Sequence, residues 1–211
     1  MTRSKYIQPF AISLTLLFIL SQFTFSTFAG GRIVNVAEMT MVAGRVVHGR
    51  VVAVRSGLHP QQPNVSVLFV KIQVIEMLKG APAPEISFMQ YAGGSFSHLP
   101  QYRLGEEIML FLYPESRLGL TSPVGEGQGK FVARNDVRTG RRVLLNEQGN
   151  YALFDRIDKA RLRTELSLNK AEREMVEQPL TEMREGAEFS AFRSVVRKLT
   201  ANPKAASLSL Q

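Results

Sequence analysis

The sequence predicts a mainly β fold: five to seven short strands forming a small barrel or sandwich, followed by a C-terminal helical segment. Three observations carry this. Between residues 45 and 145, short runs rich in Val, Ile, Leu and Phe are separated by Gly, Pro and Asn turn signals at roughly 8–12-residue spacing. Within residues 65–78, Leu68, Val70, Ile72 and Val74 recur with period 2 against Lys71 and Gln73, as in a strand with one buried face. After about residue 155 the pattern changes to charges of both signs at helical spacing, and Phe189, Phe192, Val196 and Leu199 follow the i, i+3, i+7, i+10 stripe of an amphipathic helix.

Each element has a local reason. Residues 35–43 suit a short helix with Asn35 as its N-cap. Residues 45–54 are β-branched and stop at Ser56-Gly57, and Gly49 inside the run predicts a β-bulge. Residues 57–64 contain Pro60 and Pro63 and read as a connection. The strand over 65–78 ends at Lys79-Gly80, Pro82 and Pro84. A third strand covers 85–92, and residues 95–107 form a polar loop. Residues 108–113 are apolar on both faces, which predicts a central strand covered twice. Two short strands, 118–124 and 130–134, flank the glycine-rich residues 125–129, and a hairpin joins 132–135 to 142–145 through Thr139-Gly140. Leu162, Leu166, Met175 and Val176 form a thin apolar stripe in the helical 156–185 region, which Pro179 must interrupt. A helix over about 188–200 closes the folded part, and 201–211 reads as a disordered tail.

Arg3 and Lys5, the apolar run from Phe10 to Phe25 and the small residues around Ala29 have the layout of a cleaved secretory signal. The domain organisation expected is therefore a signal peptide over 1–29, a β domain over 30–155, a helical extension over 156–200 and the tail. Cleavage near Ala29 would release a secreted or periplasmic chain with no stable membrane span. Loss of the leader takes the formal charge from +8 to +6, because residues 1–29 hold two cations and no acid. The chain has no cysteine, which excludes disulfides, thiolate metal sites and cysteine nucleophiles. Its fold must rest on core packing, and export disfavours chemistry that needs cytosolic nucleotides.

The order Gly49-Arg50-Val51-Val52, then Leu78-Lys79-Gly80, then Gly105-Glu106-x-x-x-Leu110-Phe111-Leu112 resembles the netrin-like modules with an OB-fold barrel, the group that includes tissue inhibitors of metalloproteinases. Among such modules it resembles the cysteine-free, exported bacterial type, and the likeness covers roughly residues 40–135. The resemblance implies an OB-like barrel. The inhibitors chelate the protease zinc through an N-terminal cysteine. With no cysteine here, that mechanism carries over to no residue of this chain.

Each chemistry-bearing residue has a plainer role beside its functional one. His48, His59 and His98 lie 11 and 39 residues apart, too far for a local zinc motif. Serines and aspartates leave an exported hydrolase with a His-based site as an alternative, although no nucleophile-elbow motif occurs. Residues 124–131 do not complete a phosphate loop, since Val124 and Phe131 occupy the positions that need Gly and Ser or Thr. Glu106 and Glu107 are adjacent at the start of a strand and so point to opposite faces. Glu182, Glu185 and Glu188 cluster charge on a helix face without a calcium loop. Asn64-Val65-Ser66 is a glycosylation sequon. Lys71, Tyr91, Tyr102, Arg103, Lys130 and Phe131 are scattered rather than aligned for nucleic acid. Anionic envelope polymers or lipids suit the charge better. The expectation is a non-catalytic binding module with no cofactor and no metal. Its partner would be another extracytoplasmic protein such as a peptidase, met through Phe189, Phe192, Val196 and Leu199, which serve equally as core.

Overall fold

Strand-forming residues keep the chain extended almost continuously from Arg45 to Lys79 in the computed structural model, which describes residues 32–93, 100–179 and 183–207. Strand β1 (Arg45–His59) and strand β2 (Gln62–Lys79) pair as one long antiparallel hairpin. The connection expected over 57–64 is thus reduced to a tight turn at Pro60-Gln61. Both prolines fit: Pro60 is in the turn, and Pro63 lies in the irregular step between the Leu58↔Ser66 and His59↔Gln62 pairs, where the ladder asks for no N–H. The bulge at Gly49 is present as a register shift between His48 and Gly49. A Cβ there would stand 2.5 Å from the Gln73 carbonyl oxygen and from Ile72 Cγ2, so only glycine allows β2 to approach so closely.

Strands β3 (Glu85–Tyr91), β4 (Glu107–Leu112), β5 (Lys130–Asn135), β6 (Arg142–Asn146) and β7 (Ala187–Glu188) complete an antiparallel sheet of order β3-β2-β1-β4-β5-β6-β7. The predicted 132–135/142–145 hairpin is seen as β5 paired with β6. The sheet is not closed by a continuous ladder. Two isolated bridges, parallel Met89↔Leu120 and antiparallel Leu112↔Pro123, join the β3 edge to β4 through residues 120–123. The strand expected over 118–124 exists only as these bridges. Gly119 turns the backbone at φ +69° and Pro123 lacks an N–H, so the segment crosses between strands without running along either.

The pleat sorts side chains into two cores. One face gathers Val47, Val51, Val70, Ile72, Ile86, Phe88, Ile108, Leu110 and Leu112, with Tyr102 from the preceding loop. The other gathers Val46, Met109, Phe111, Phe131 and Leu144 beneath the helices. Strand β4 contributes to both, the doubly covered position its sequence predicts. Helix α1 (Val36–Val42) begins where Asn35 Oδ1 accepts the Glu38 N–H at 2.9 Å. Helices α2 (Lys159–Glu165) and α3 (Lys170–Glu177) start at Asp158 and at an Asn169/Glu172 capping box, and Pro179 follows α3. They bury Leu162, Met175 and Val176. Helix α4 (Phe189–Ala201) is capped by Glu188, which accepts from the Ser190 and Ala191 N–H groups. The expected tail begins with a one-turn helix α5 (Pro203–Ala206), because Asn202 caps it through the Ala205 N–H and Ala205 is buried. The described residues form one compact unit, and among them no helix is long and apolar enough to cross a membrane. The expected leader, Gly94 and His98 lie outside the described residues.

Candidate functional site

The pairing register aligns two cross-strand rows on one face of β1, β2 and β3. Ala53 opposes Lys71, which opposes Ser87; Arg55 opposes Phe69, which opposes Met89. These rows, with Glu115 and Gly119 from the segment after β4, line a groove of about 560 Å³. Phe69, Val70, Phe88 and Met89 supply apolar surface. The Arg55 guanidinium lies 4.9 Å from the centre of the Phe69 ring. Lys71 pairs with Glu85 at 2.8 Å, and Glu115 pairs with Arg45.

His59 holds one wall. The tip of the β1–β2 hairpin meets the 116–120 turn where His59 Nε2 lies 2.7 Å from the Leu118 carbonyl oxygen. His59 Nδ1 accepts the Gln61 N–H at 3.1 Å, so the remaining ring proton is on Nε2, which donates to Leu118. The turn is braced by the Ser116 hydroxyl, which accepts from Leu118 and Leu120 N–H groups. Leu118, 40 % exposed, lies in this turn, while Leu58, 60 % exposed, precedes His59 on β1 and faces away from Ala53 and Arg55. A volume of this size with an apolar lining and a few polar groups is the ordinary form of a ligand site.

The other sequence candidates have structural partners. His48 is buried, with Nε2 2.6 Å from Glu107 Oε1 and its ring edge-on to Phe189 at 5.1 Å. It does not converge with His59. Among the described residues no three His, Cys, Asp or Glu side chains are placed to hold a metal ion. Glu106 and Glu107 do diverge: Glu106 pairs with Lys130 at 2.8 Å, whereas Glu107 takes His48 and Arg142. Residues 124–131 form a buried turn rather than a phosphate cradle, and Gln128 is tied to Val34, Arg32 and Gly125. Gly129 is needed there because a Cβ would meet the Val124 carbonyl oxygen at 2.5 Å. Tyr102, Lys130 and Phe131 are buried, which removes them from any nucleic-acid face. Glu185 pairs with Arg138, Glu188 caps α4, and Glu182 lies outside the described residues. Asn64 is exposed on β2.

Phe189, Phe192, Val196 and Leu199 are each at most 4 % exposed, packed in the core under α4. The stripe is covered by the protein's own sheet, so docking through it would require α4 to leave that sheet. The sequence reading passed over Arg55, Phe69 and Met89. The local signal is slight: Phe69 shares the odd-numbered face of the 65–78 strand with Lys71 and Gln73.

Burial pushes the Glu107 carboxyl up, but the hydrogen bond from His48, the charge and hydrogen bond of Arg142 and the charge of His48 outweigh it and hold the group below the usual glutamate range. A carboxyl depressed in the folded state stabilises the protein above its unfolded value, and that contribution is lost as pH falls through the folded value. Glu107→Gln should therefore be less stable than wild type at pH 7, and the gap should narrow as pH drops below the ordinary carboxylate range. Urea unfolding across that range checks it. Parallel stability curves for the two proteins would refute the coupling.

Comparison with protein-family models, curated proteins and solved structures finds no match for this chain.

Proposed function

We propose that the protein is an exported, non-catalytic binding module on an OB-like barrel of netrin-like type, and that it contacts another extracytoplasmic protein through the groove on β1, β2 and β3. The observation that carries this reading is the groove itself: an apolar floor crossing three strands, an arginine over the Phe69 ring, and a wall at Gly119 whose turn is latched by His59. The parallel Met89↔Leu120 and antiparallel Leu112↔Pro123 bridges support the barrel, since they set residues 120–123 between β3 and β4, as a short closing strand would lie. The resemblance to netrin-like modules points to an exported peptidase as the kind of partner. With no cysteine in the chain, contact with such a partner would not use chelation of the protease zinc by an amino-terminal cysteine.

The test is capture by the C-terminally tagged full chain, produced in its own host and recovered from the extracytoplasmic fraction, at low and high salt. Met89→Glu runs beside it, with its fold checked by circular dichroism. The expected result is one protein enriched at both salt levels and lost with Met89→Glu. Enrichment indifferent to that variant, or no enrichment above background, overturns the reading. Capture of anionic polymer or lipid that vanishes in high salt would favour a charge-driven surface binder instead.

A further inference from the structure

We infer that the occupant of the groove is an extended peptide segment that carries a carboxylate beside an apolar side chain, with Arg55 as its anchor. This rests on reading the groove as the binding surface and specifies what that surface recognises. Three observations carry it.

The first is charge. Lys71 and Glu115, the other charged groups lining the groove, are matched by Glu85 and Arg45. The Arg55 guanidinium lies 4.9 Å from the centre of the Phe69 ring and makes no ion pair among the described residues. A guanidinium held over a ring by its cation–π attraction still has N–H groups to offer, in the fork that suits a carboxylate. One unmatched cation favours one carboxylate. A nucleic-acid strand would call for a row of cations along its phosphates, and the groove has no such row.

The second is the floor. Phe69 and Met89 face each other across β2 and β3 and are only half-buried, so an apolar side chain set beside Arg55 would cover them. The third is the edge. The Val74 N–H to Pro84 carbonyl and Ala92 N–H to Ser66 carbonyl bonds fix which β3 groups turn toward β2. By alternation the backbone groups of Glu85, Ser87 and Met89 turn outward. The Met89 carbonyl accepts the Thr121 N–H at 2.9 Å, whereas those of Glu85 and Ser87 have no backbone partner among the described residues. Ser87 also lines the groove, so a peptide extending β3 would lay alternate side chains over it.

The experiment selects a displayed library of random linear peptides on the full chain at near-physiological salt, then measures synthetic copies on wild type, Arg55→Glu and Met89→Glu. Amide spectra confirm that each variant is folded. The expected result is enrichment of Asp or Glu within a residue or two of an aliphatic or aromatic residue. Binding should fall about tenfold or more with Arg55→Glu and recover on that variant when the peptide acid is changed to lysine. Peptides without an acid that are lost with Met89→Glu would overturn the role of Arg55 while leaving the groove as the binding surface. Peptides indifferent to both variants, or no enrichment, would overturn both. Tighter binding of a single-stranded oligonucleotide than of any selected peptide would overturn the carboxylate in favour of a phosphate ligand.

Discussion

Phe192→Ala should lower stability by about 3–5 kcal/mol, the usual cost of emptying a buried phenylalanine site, and depress the midpoint of thermal unfolding by roughly 6–20 °C for a chain of this size. The side chain is fully buried at the centre of the α4 face, with its ring 4.9 Å from Phe131, which in turn meets Phe111 edge-on at 5.7 Å. Three aromatic rings thus tie α4 to β4 and β5. Truncation removes the ring that bridges helix and sheet, and the surrounding side chains come from strands that cannot collapse freely into the space. The measurement also separates two roles for the α4 stripe. If these residues are core, Phe192→Ala destabilises the protein and partner capture falls only in step with unfolding. A stability unchanged within error, together with lost capture, would show that α4 leaves the sheet to dock.

Lys130→Met should be as costly, about 3–5 kcal/mol, because it strands a carboxylate away from bulk water. The Lys130 side chain is buried; its ammonium lies 2.8 Å from Glu106 Oε2, donates to the Gln101 carbonyl and stands 5.2 Å from the centre of the Tyr102 ring. Tyr102 donates to Gln90 Oε1 at 3.1 Å. Its phenol is pushed far above the ordinary tyrosine range by burial first and by the charges of Glu147 and Glu106 second, so it remains a donor at any ordinary pH. The network pins the loop before β4 to the start of β5. Removing only the lysine leaves Glu106 without its counter-ion, while the double change Lys130→Met with Glu106→Leu removes both charges together. The double variant should therefore be more stable than Lys130→Met alone. Urea unfolding of the four proteins in the cycle measures this, and additive losses would show that the two side chains are not coupled.

Local chemistry was readable wherever a short window contains the whole cause. Alternation marks β2 because a strand's faces repeat every second residue. Asn35 marks the start of α1 because a short polar side chain reaches the free N–H groups of the first turn, as its bond to Glu38 does. The apolar run before Tyr113 marks a strand buried on both faces, and β4 is one. Pro60 and Pro63 misled the reading because proline signals a connection in isolation, and only the register of a long hairpin reveals that one falls in the turn and the other in a bulged step. The strand expected over 118–124 had suitable residues, yet the paths of β3 and β4 left it only bridges.

The sequence by itself determined the class of the fold, most strand positions, the Asn35 cap of α1 and the exclusion of every function that needs a thiol. Those depend on side-chain period, backbone stereochemistry and residue type, which act over a few neighbours. Tertiary structure alone decided that Arg55, Phe69 and Met89 share one groove, that Lys130 meets Glu106, and that the α4 stripe faces inward. The physical reason is that these juxtapositions follow from strand register and burial across the sheet. A shift of one residue in that register would turn Arg55, Phe69 and Met89 to the opposite face while leaving the local pattern of the sequence unchanged.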